Sequence, residues 1–116
     1  MNLESILNLN TINELSEILE DEFPELFILF KESSKSNIEQ IKIAHANNSI
    51  DDLHKYAHHL KGSSGNLGLT GIYNLMGDIE TRLEDKNADV SSLIAELDPI
   101  YDATLKALLE NNILLE

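Results

Sequence analysis

Three of the four histidines lie within six residues of one another, at His54, His58 and His59 in a chain of 116 residues. An imidazole nitrogen can act as a nucleophile, a general base or a metal ligand, so this cluster is the strongest candidate for chemistry in the chain. The cluster is followed at once by Lys61 and Gly62. An ammonium group beside an imidazole can balance the charge of an anion held on the ring, such as a phosphoryl group.

A helix over this stretch would turn the histidines away from its buried side. Small and apolar residues recur at helical spacing and define that side: Leu53, Ala57, Leu60, Ser64 and Leu67. At about 100° per residue, His58 lies about 140° from the centre of the buried side, so its ring points to solvent. Gly65 falls within about 20° of His58 on the helical wheel, and Lys61 falls within about 60°. His54 and Gly62 fall within about 40°.

Three glycines occur in seven residues of this stretch, at Gly62, Gly65 and Gly68. Gly68 is well placed to end the helix as its C-terminal cap. The other two each cost about 1 kcal/mol relative to alanine in a helix interior, so something requires bare backbone there. We expect an exposed His58 flanked by a cation and two bare patches of backbone, which suits a nucleophile approached by another protein.

His59 points outward as well, but toward the other flank of the helix. It has one neighbouring glycine, Gly62, and no cation three or four residues further along the chain. The geometry therefore favours His58 over His59 as the nucleophile.

The sequence around these residues resembles the signature of histidine-containing phosphotransfer (HPt) domains. That signature reads His, any residue, Leu, Lys, Gly, Ser, a small residue and then Leu-Gly, and it matches His58-His59-Leu60-Lys61-Gly62-Ser63-Ser64 followed by Asn66-Leu67-Gly68. The flanking pattern agrees at Pro24-Glu25-Leu26, at Ala57 and at Ile79-Glu80. The resemblance covers about residues 20–110, nearly the whole chain.

The resemblance implies a role for each matching residue. His58 corresponds to the phosphorylated histidine, and His59 falls at the variable position. Lys61 corresponds to the lysine that balances the phosphoryl charge, and Gly62 to the glycine that lets a receiver domain approach the ring. Ser63 and Ser64 match a small pair that lets the helix pack. On the next helix, Glu80 and Glu84 are acidic and unfavourable to a phosphate, so no role is assigned to them.

The function that the resemblance implies is phosphoryl transfer by a carrier in a multistep two-component phosphorelay. The histidine takes the phosphoryl group from an aspartate of one response-regulator receiver domain and passes it to an aspartate of another. The carrier needs no cofactor of its own, because the receiver supplies Mg²⁺. A hybrid sensor histidine kinase is the expected upstream partner. The chain itself lacks Gly-x-Gly-x-x-Gly and Gly-x-x-x-x-Gly-Lys-Ser/Thr motifs, so we expect a carrier and not a kinase.

Two other interpretations compete with phosphotransfer. His54 and His58, four residues apart on one helix face, could bind zinc if His45 or a carboxylate supplied a third ligand. Alternatively, the exposed polar face could belong to a scaffold module that binds receiver or kinase partners without phosphotransfer. The chain is expected to be a stand-alone carrier, with an excised domain of a hybrid sensor kinase as the alternative.

The elements that must position these residues are helices throughout. A capping box at Thr11 and Glu14 predicts a short N-terminal helix, and Pro24 predicts the first turn of a long helix that ends at Asn47-Asn48. Further helices are predicted from Ser49 to Gly68, from a Thr70 cap to Leu83, and from about Ser91 onward, with a kink or break at Pro99. Short connections make sequential helices antiparallel. We predict an all-α, antiparallel four-helix bundle with a short extra N-terminal helix, as a single domain over residues 1–116.

Composition narrows the classes of partner. There are 21 acidic and 8 basic residues, for a formal net charge of −13, which argues against nucleic-acid and anionic-lipid binding. The absence of cysteine excludes disulfides, thiolate metal sites and cysteine nucleophiles. No positively charged signal region begins the chain, and no apolar run is long enough for a membrane span. We expect a monomeric cytoplasmic protein.

Overall fold

Seven α-helices make up most of residues 2–114, the part of the chain that the computed structural model describes, and that part contains no β-strand. In chain order they are α1 (Leu3–Ile6), α2 (Leu9–Leu19), α3 (Phe23–Ala46), α4 (Ile50–Asn66), α5 (Thr70–Arg82), α6 (Ser91–Ala95) and α7 (Leu97–Glu110), with a 3₁₀ turn at Glu20–Glu22. The four long helices α3, α4, α5 and α7 form the bundle. The all-α prediction is confirmed.

The core of the bundle is built from one apolar stripe on each helix. On α4 the buried side chains are Leu53, Ala57, Leu60 and Ser64, as the sequence predicted, and on α5 they include Ile72, Leu75, Met76 and Ile79. The stripe of α3 is buried from Phe27 to Ile41 at helical spacing. Each helix therefore turns one face inward and leaves the other for solvent. Within residues 2–114, no helix has the length and apolarity that crossing a membrane requires.

The ends of α3 and α4 are set by two residues with positive φ angles, Asn48 at 55° and Gly68 at 74°. After each of them, a backbone N–H reaches back to the last turn of the helix: Ser49 donates to the Ala44 carbonyl and Leu69 donates to the Ser64 carbonyl, both at 2.9 Å. Both predicted helix ends are confirmed. The chain reverses within three residues at each point, which makes α4 antiparallel to α3 and to α5.

The N-terminal region differs from the prediction in two ways. It forms two helices, α1 and α2, where one short helix was expected. The cap of α2 is Asn8 and not Thr11, because the Asn8 side chain accepts a hydrogen bond from the Thr11 N–H at 3.2 Å. The predicted Thr70 cap is also wrong, since Leu69 occupies the cap position of α5. The Asn8 N–H donates to the Gly68 carbonyl at 2.8 Å, which ties the N-terminal helices to the turn between α4 and α5.

The last part of the chain is split near Pro99, as predicted. Helix α6 ends at Ala95 and α7 starts at Leu97, so Pro99 lies in the first turn of α7, where backbone N–H groups have no partner within the helix. Tyr101 on α7 connects that helix to α3 through a buried hydrogen bond of 2.7 Å between its hydroxyl and that of Ser34. Burial raises the pKa of Tyr101, the bond to Ser34 opposes the rise, and the charge of Asp102 adds to it.

Candidate functional site

Helix α4 presents the predicted cluster on its exposed face. The side chain of His58 is 71% exposed and that of His54 is 54% exposed, while Lys61 is 32% exposed. The two imidazole rings lie parallel, with centroids 6.2 Å apart and an angle of 4° between their planes. His58 therefore points to solvent, as the helical wheel predicted. This exposure follows from the position of His58 opposite the buried residues of α4.

A carboxylate from the next helix meets all three of these side chains. Glu80 on α5 is only 14% exposed, and its Oε2 atom lies 3.0 Å from His58 Nδ1 and 3.4 Å from His54 Nε2. Its Oε1 atom lies 3.6 Å from Lys61 Nζ. The α4–α5 packing thus places one negative charge between two imidazoles and an ammonium group. We define these four residues, His54, His58, Lys61 and Glu80, as the α4–α5 cluster.

The contact with Glu80 favours one tautomer of His58. A carboxylate oxygen accepts hydrogen bonds, so the 3.0 Å contact favours the ring form with its proton on Nδ1. In the neutral ring, Nε2 then holds the lone pair. Because the side chain is mostly exposed, a lone pair at Nε2 is accessible to an electrophile from outside. The arrangement can support nucleophilic attack by Nε2.

The two interior glycines of α4 have different surroundings. A Cβ atom on Gly62 would have no heavy atom within 4 Å, so the predicted bare patch exists there. A Cβ atom on Gly65 would lie 2.7 Å from Cδ1 of the Tyr73 ring. The prediction of a second bare patch is therefore wrong, because the backbone at Gly65 is covered by Tyr73 from α5. Gly62 alone of the two leaves open space, one helical turn beyond His58.

The remaining histidines lie outside the α4–α5 cluster. His59 is exposed on the neighbouring flank of α4. His45, near the end of α3, has its Nε2 atom 3.2 Å from the Ser91 hydroxyl. A zinc site would need a third ligand beside His54 and His58. Across residues 2–114, no group of three or more His, Cys, Asp or Glu side chains is arranged to hold a metal ion.

Glu80 is the site residue that sequence reasoning missed. Its acidic side chain was judged unfavourable to a phosphate, and no role was assigned to it. The structure brings the carboxylate to the Nδ1 side of His58, where its negative charge would stabilise a positive charge on the ring. The available signal was its place on the buried edge of α5, directly after Ile79. Glu84, the other acidic residue considered, is exposed in the turn after α5.

Comparison with known proteins gives one family. The model of the Hpt domain family matches residues 25–111, a span that includes the whole α4–α5 cluster. No curated relative and no solved structure matches the chain significantly. Hpt domains are phosphoryl carriers of two-component phosphorelays, not kinases, and receiver domains are their partners. A match over three quarters of the chain, on a helical bundle with an exposed histidine, means that this protein belongs to the Hpt domain family of histidine phosphotransfer modules.

Proposed function

We propose that this protein relays a phosphoryl group between receiver-domain aspartates and that His58 is the residue that carries it. The observation that supports this most is the contact of 3.0 Å between His58 Nδ1 and Glu80 Oε2 on a side chain that is 71% exposed. The contact keeps the proton on Nδ1 and leaves Nε2 for the reaction. His59 lacks such a partner among the contacts of the described residues.

The transfer step needs no base to remove a proton from the nucleophile. The Nε2 lone pair of His58 attacks the phosphorus of an aspartyl phosphate, an N–P bond forms, and the P–O bond to the aspartate breaks. The bonding electrons leave with the aspartate carboxylate of the receiver. The ring keeps its Nδ1 proton and becomes cationic, and the Glu80 carboxylate stabilises that charge. In the reverse step an aspartate oxygen attacks phosphorus, and the neutral imidazole leaves.

Lys61 and Gly62 are assigned supporting roles in the same step. Lys61 Nζ belongs to the α4–α5 cluster, and its positive charge would balance the charge of the phosphoryl group near His58. Gly62 leaves an opening beside His58, since nothing lies within 4 Å of where its Cβ would be. That opening would let the backbone or side chains of a receiver come close to the imidazole.

The partners follow from the same proposal. Response-regulator receiver domains would dock over His58, and Mg²⁺ would belong to the receiver, which holds the aspartyl phosphate. A hybrid sensor histidine kinase would be the source of the phosphoryl group. The protein would act as a monomeric cytoplasmic carrier, with residues 1–116 as one domain, as the sequence analysis expected.

Phosphotransfer from a labelled receiver tests the proposal directly. The protein is mixed with a phosphorylated receiver domain and Mg²⁺, and the label on the protein is tested for the acid lability and alkali stability of a phosphoramidate. We expect label on the wild type and on His59→Gln, and no label on His58→Gln. His59→Gln is the matched control, because it removes the adjacent exposed imidazole from the same helix.

Two other results would lead to different conclusions. Label lost in His59→Gln but kept in His58→Gln would move the phosphoacceptor by one residue and remove the roles given to Lys61 and Gly62. Receivers that bind without transferring label would favour the scaffold alternative. A binding assay by calorimetry with the same receivers separates that outcome from the absence of any partner.

A further inference from the structure

Tyr73 of α5 lies against Lys61, a second contact of this lysine besides the one with Glu80. The Lys61 Nζ atom is above the Tyr73 ring, 5.6 Å from its centroid. This distance is within the range of about 6 Å over which an aromatic face attracts an ammonium group. Tyr73 is 41% exposed, so the ring contacts Lys61 near the surface of the bundle.

Gly65 provides the space for this contact, and Gly77 lies beside the lysine side chain. A Cβ on Gly65 would lie 2.7 Å and 2.9 Å from Cδ1 and Cε1 of Tyr73, so the ring lies directly on the bare backbone of α4. A Cβ on Gly77 would lie 3.8 Å from Cε of Lys61, so the lysine side chain passes close to the backbone of α5. The ring and the ammonium group are thus brought together by close approach of α4 and α5.

The contact matters because Glu80 does not hold Lys61 firmly. The distance of 3.6 Å between Lys61 Nζ and Glu80 Oε1 is longer than a hydrogen bond, and Oε1 has no hydrogen-bond partner within residues 2–114. A lysine side chain has several rotatable bonds and loses considerable entropy when it is confined. A second attraction, from the Tyr73 ring, would limit the positions that the ammonium group visits.

We propose that Tyr73 is a positioning residue that keeps the Lys61 ammonium group beside His58, with Gly65 providing the surface on which the ring lies. The inference rests on the proposed function, since it assigns Tyr73 a role in phosphoryl transfer through Lys61. It also makes a claim about Lys61 in the free protein that is measurable without any transfer. The attraction on the Lys61 ammonium group comes from the π face of the ring, so the hydroxyl of Tyr73 is not required.

The position of Lys61 is tested first by NMR on the unphosphorylated protein. In the wild type, the ring current of Tyr73 should shift the Lys61 ε-methylene protons upfield. Tyr73→Phe keeps an aromatic face and should keep the shift, whereas Tyr73→Leu should abolish it. An unchanged shift in Tyr73→Leu would overturn the inference, whatever the transfer assay gives. Circular dichroism and urea unfolding establish that the variants are folded.

The functional effect is tested with phosphoramidate as phosphoryl donor, because this small molecule phosphorylates histidine without receiver docking. We expect Tyr73→Leu to slow the formation of phospho-His58 about two- to five-fold, the factor that an exposed cation–π contact is worth. Tyr73→Phe should retain the wild-type rate. In a Lys61→Met background, Tyr73→Leu should have no further effect, because the group that it positions is gone.

A matched control comes from the other lysine–tyrosine contact on α4. Lys55 Nζ lies 5.2 Å from the centroid of the Tyr56 ring, and neither residue contacts Glu80 among the described residues. Tyr56→Leu should leave the rate unchanged. An equal loss in Tyr56→Leu, or the same loss from Tyr73→Leu with and without Lys61, would overturn the inference. Failure of wild-type His58 to accept label from receivers would instead contradict the proposed function. It would not change the NMR result on the position of Lys61.

Discussion

At the scale of single residues, a carboxylate beside a phosphoryl acceptor looks unfavourable until its geometry is considered. Glu80 approaches His58 from the Nδ1 side, at 3.0 Å, while the incoming group would meet Nε2 on the opposite side of the ring. In the proposed transfer, the ring becomes cationic when Nε2 forms its bond to phosphorus. The negative charge of Glu80 would then lie next to the positive charge that develops, and Lys61, a member of the same α4–α5 cluster, would balance the phosphoryl group.

Replacing Glu80 by glutamine tests this role. The amide oxygen can still accept a hydrogen bond from Nδ1, but it carries no negative charge to stabilise the positive charge of the ring. A hydrogen bond to a charged partner is worth about 1 kcal/mol more than a neutral one, so transfer to His58 should slow about five-fold in Glu80→Gln. Stopped-flow or quenched-flow transfer from a phosphorylated receiver measures the rate.

Glu84→Gln is the control for the loss of one negative charge, because Glu84 is exposed in the turn after α5, and its rate should equal that of the wild type. Nitrogen-15 NMR of the imidazole gives an independent check. In the wild type the His58 proton should reside on Nδ1, and Glu80→Ala should let it distribute between the two nitrogens. A His58 tautomer that does not respond to Glu80→Ala would contradict the assignment.

At the scale of elements, the two glycines inside α4 show how a helix can give up stability for contacts on its surface. Each glycine weakens the helix by about 1 kcal/mol relative to alanine. At Gly62 the space beyond the helix is open, whereas at Gly65 it is filled by the Tyr73 ring. The two positions are three residues apart on one helix, so they share helical context but differ in their neighbours.

Alanine at these two positions should have different effects on stability. Gly62→Ala should raise the free energy of unfolding by about 0.5–1 kcal/mol, because it adds helix propensity without a clash. Gly65→Ala should be less stable than Gly62→Ala by about 1 kcal/mol, since the Tyr73 ring must move away from a Cβ at 2.7 Å. Urea unfolding followed by circular dichroism measures both values. Equal values for the two variants would mean that Tyr73 does not pack on Gly65.

At the scale of the whole molecule, the bundle joins its first and last long helices through Ser34 and Tyr101. Their hydroxyls form a buried hydrogen bond of 2.7 Å between α3 and α7. Lys42 on α3 also lies 2.7 Å from Asp98 on α7, but both side chains are about half exposed or more, so solvent and salt weaken that pair. The buried bond is therefore the polar contact across this interface that should matter for stability.

The pH dependence of the free energy of unfolding should show the raised pKa of the Tyr101 phenol. Burial raises its pKa in the folded state above the ordinary value of about 10, against the opposing effect of the Ser34 bond. Below pH 10 the phenol keeps its proton in both states, so its contribution to stability is fully present. As the pH rises above 10 the unfolded chain releases the proton first, and the free energy of unfolding falls until the folded pKa is passed.

Tyr101→Phe should lower the free energy of unfolding by about 1 kcal/mol at neutral pH, because it removes one buried hydrogen bond. Ser34 keeps a partner in that variant, since its hydroxyl also lies 3.3 Å from the Lys31 carbonyl. Above pH 10 the stability of Tyr101→Phe should decline less steeply than that of the wild type. Urea unfolding at pH 7 and at a series of pH values above 10 gives the free energy of unfolding of both proteins. If it declined equally steeply with pH in the wild type and in Tyr101→Phe, the role given to Tyr101 would be contradicted.

The sequence by itself determined the helices, their buried faces and the exposure of His58. These features depend on the spacing of neighbours along one helix, and on local signals such as Gly68, Pro24 and Pro99. Local signals were less decisive at the N-terminus, where both Asn8 and Thr11 can cap a helix and Asn8 does so. The HPt-like signature also lies in one stretch of chain, in α4 and the turn that ends it, which is why the family could be inferred before the fold was known.

Only the tertiary structure decided which groups from α5 meet those on α4. Glu80 is 22 residues from His58 and Tyr73 is 8 residues from Gly65, and each pair is formed by the packing of two different helices. The rotation and register of one helix against another depend on how side chains interlock across the interface, and helical periodicity within each helix does not specify them. For that reason the sequence identified Glu80 as an acidic residue near the site, while the packing showed which nitrogen of His58 it faces.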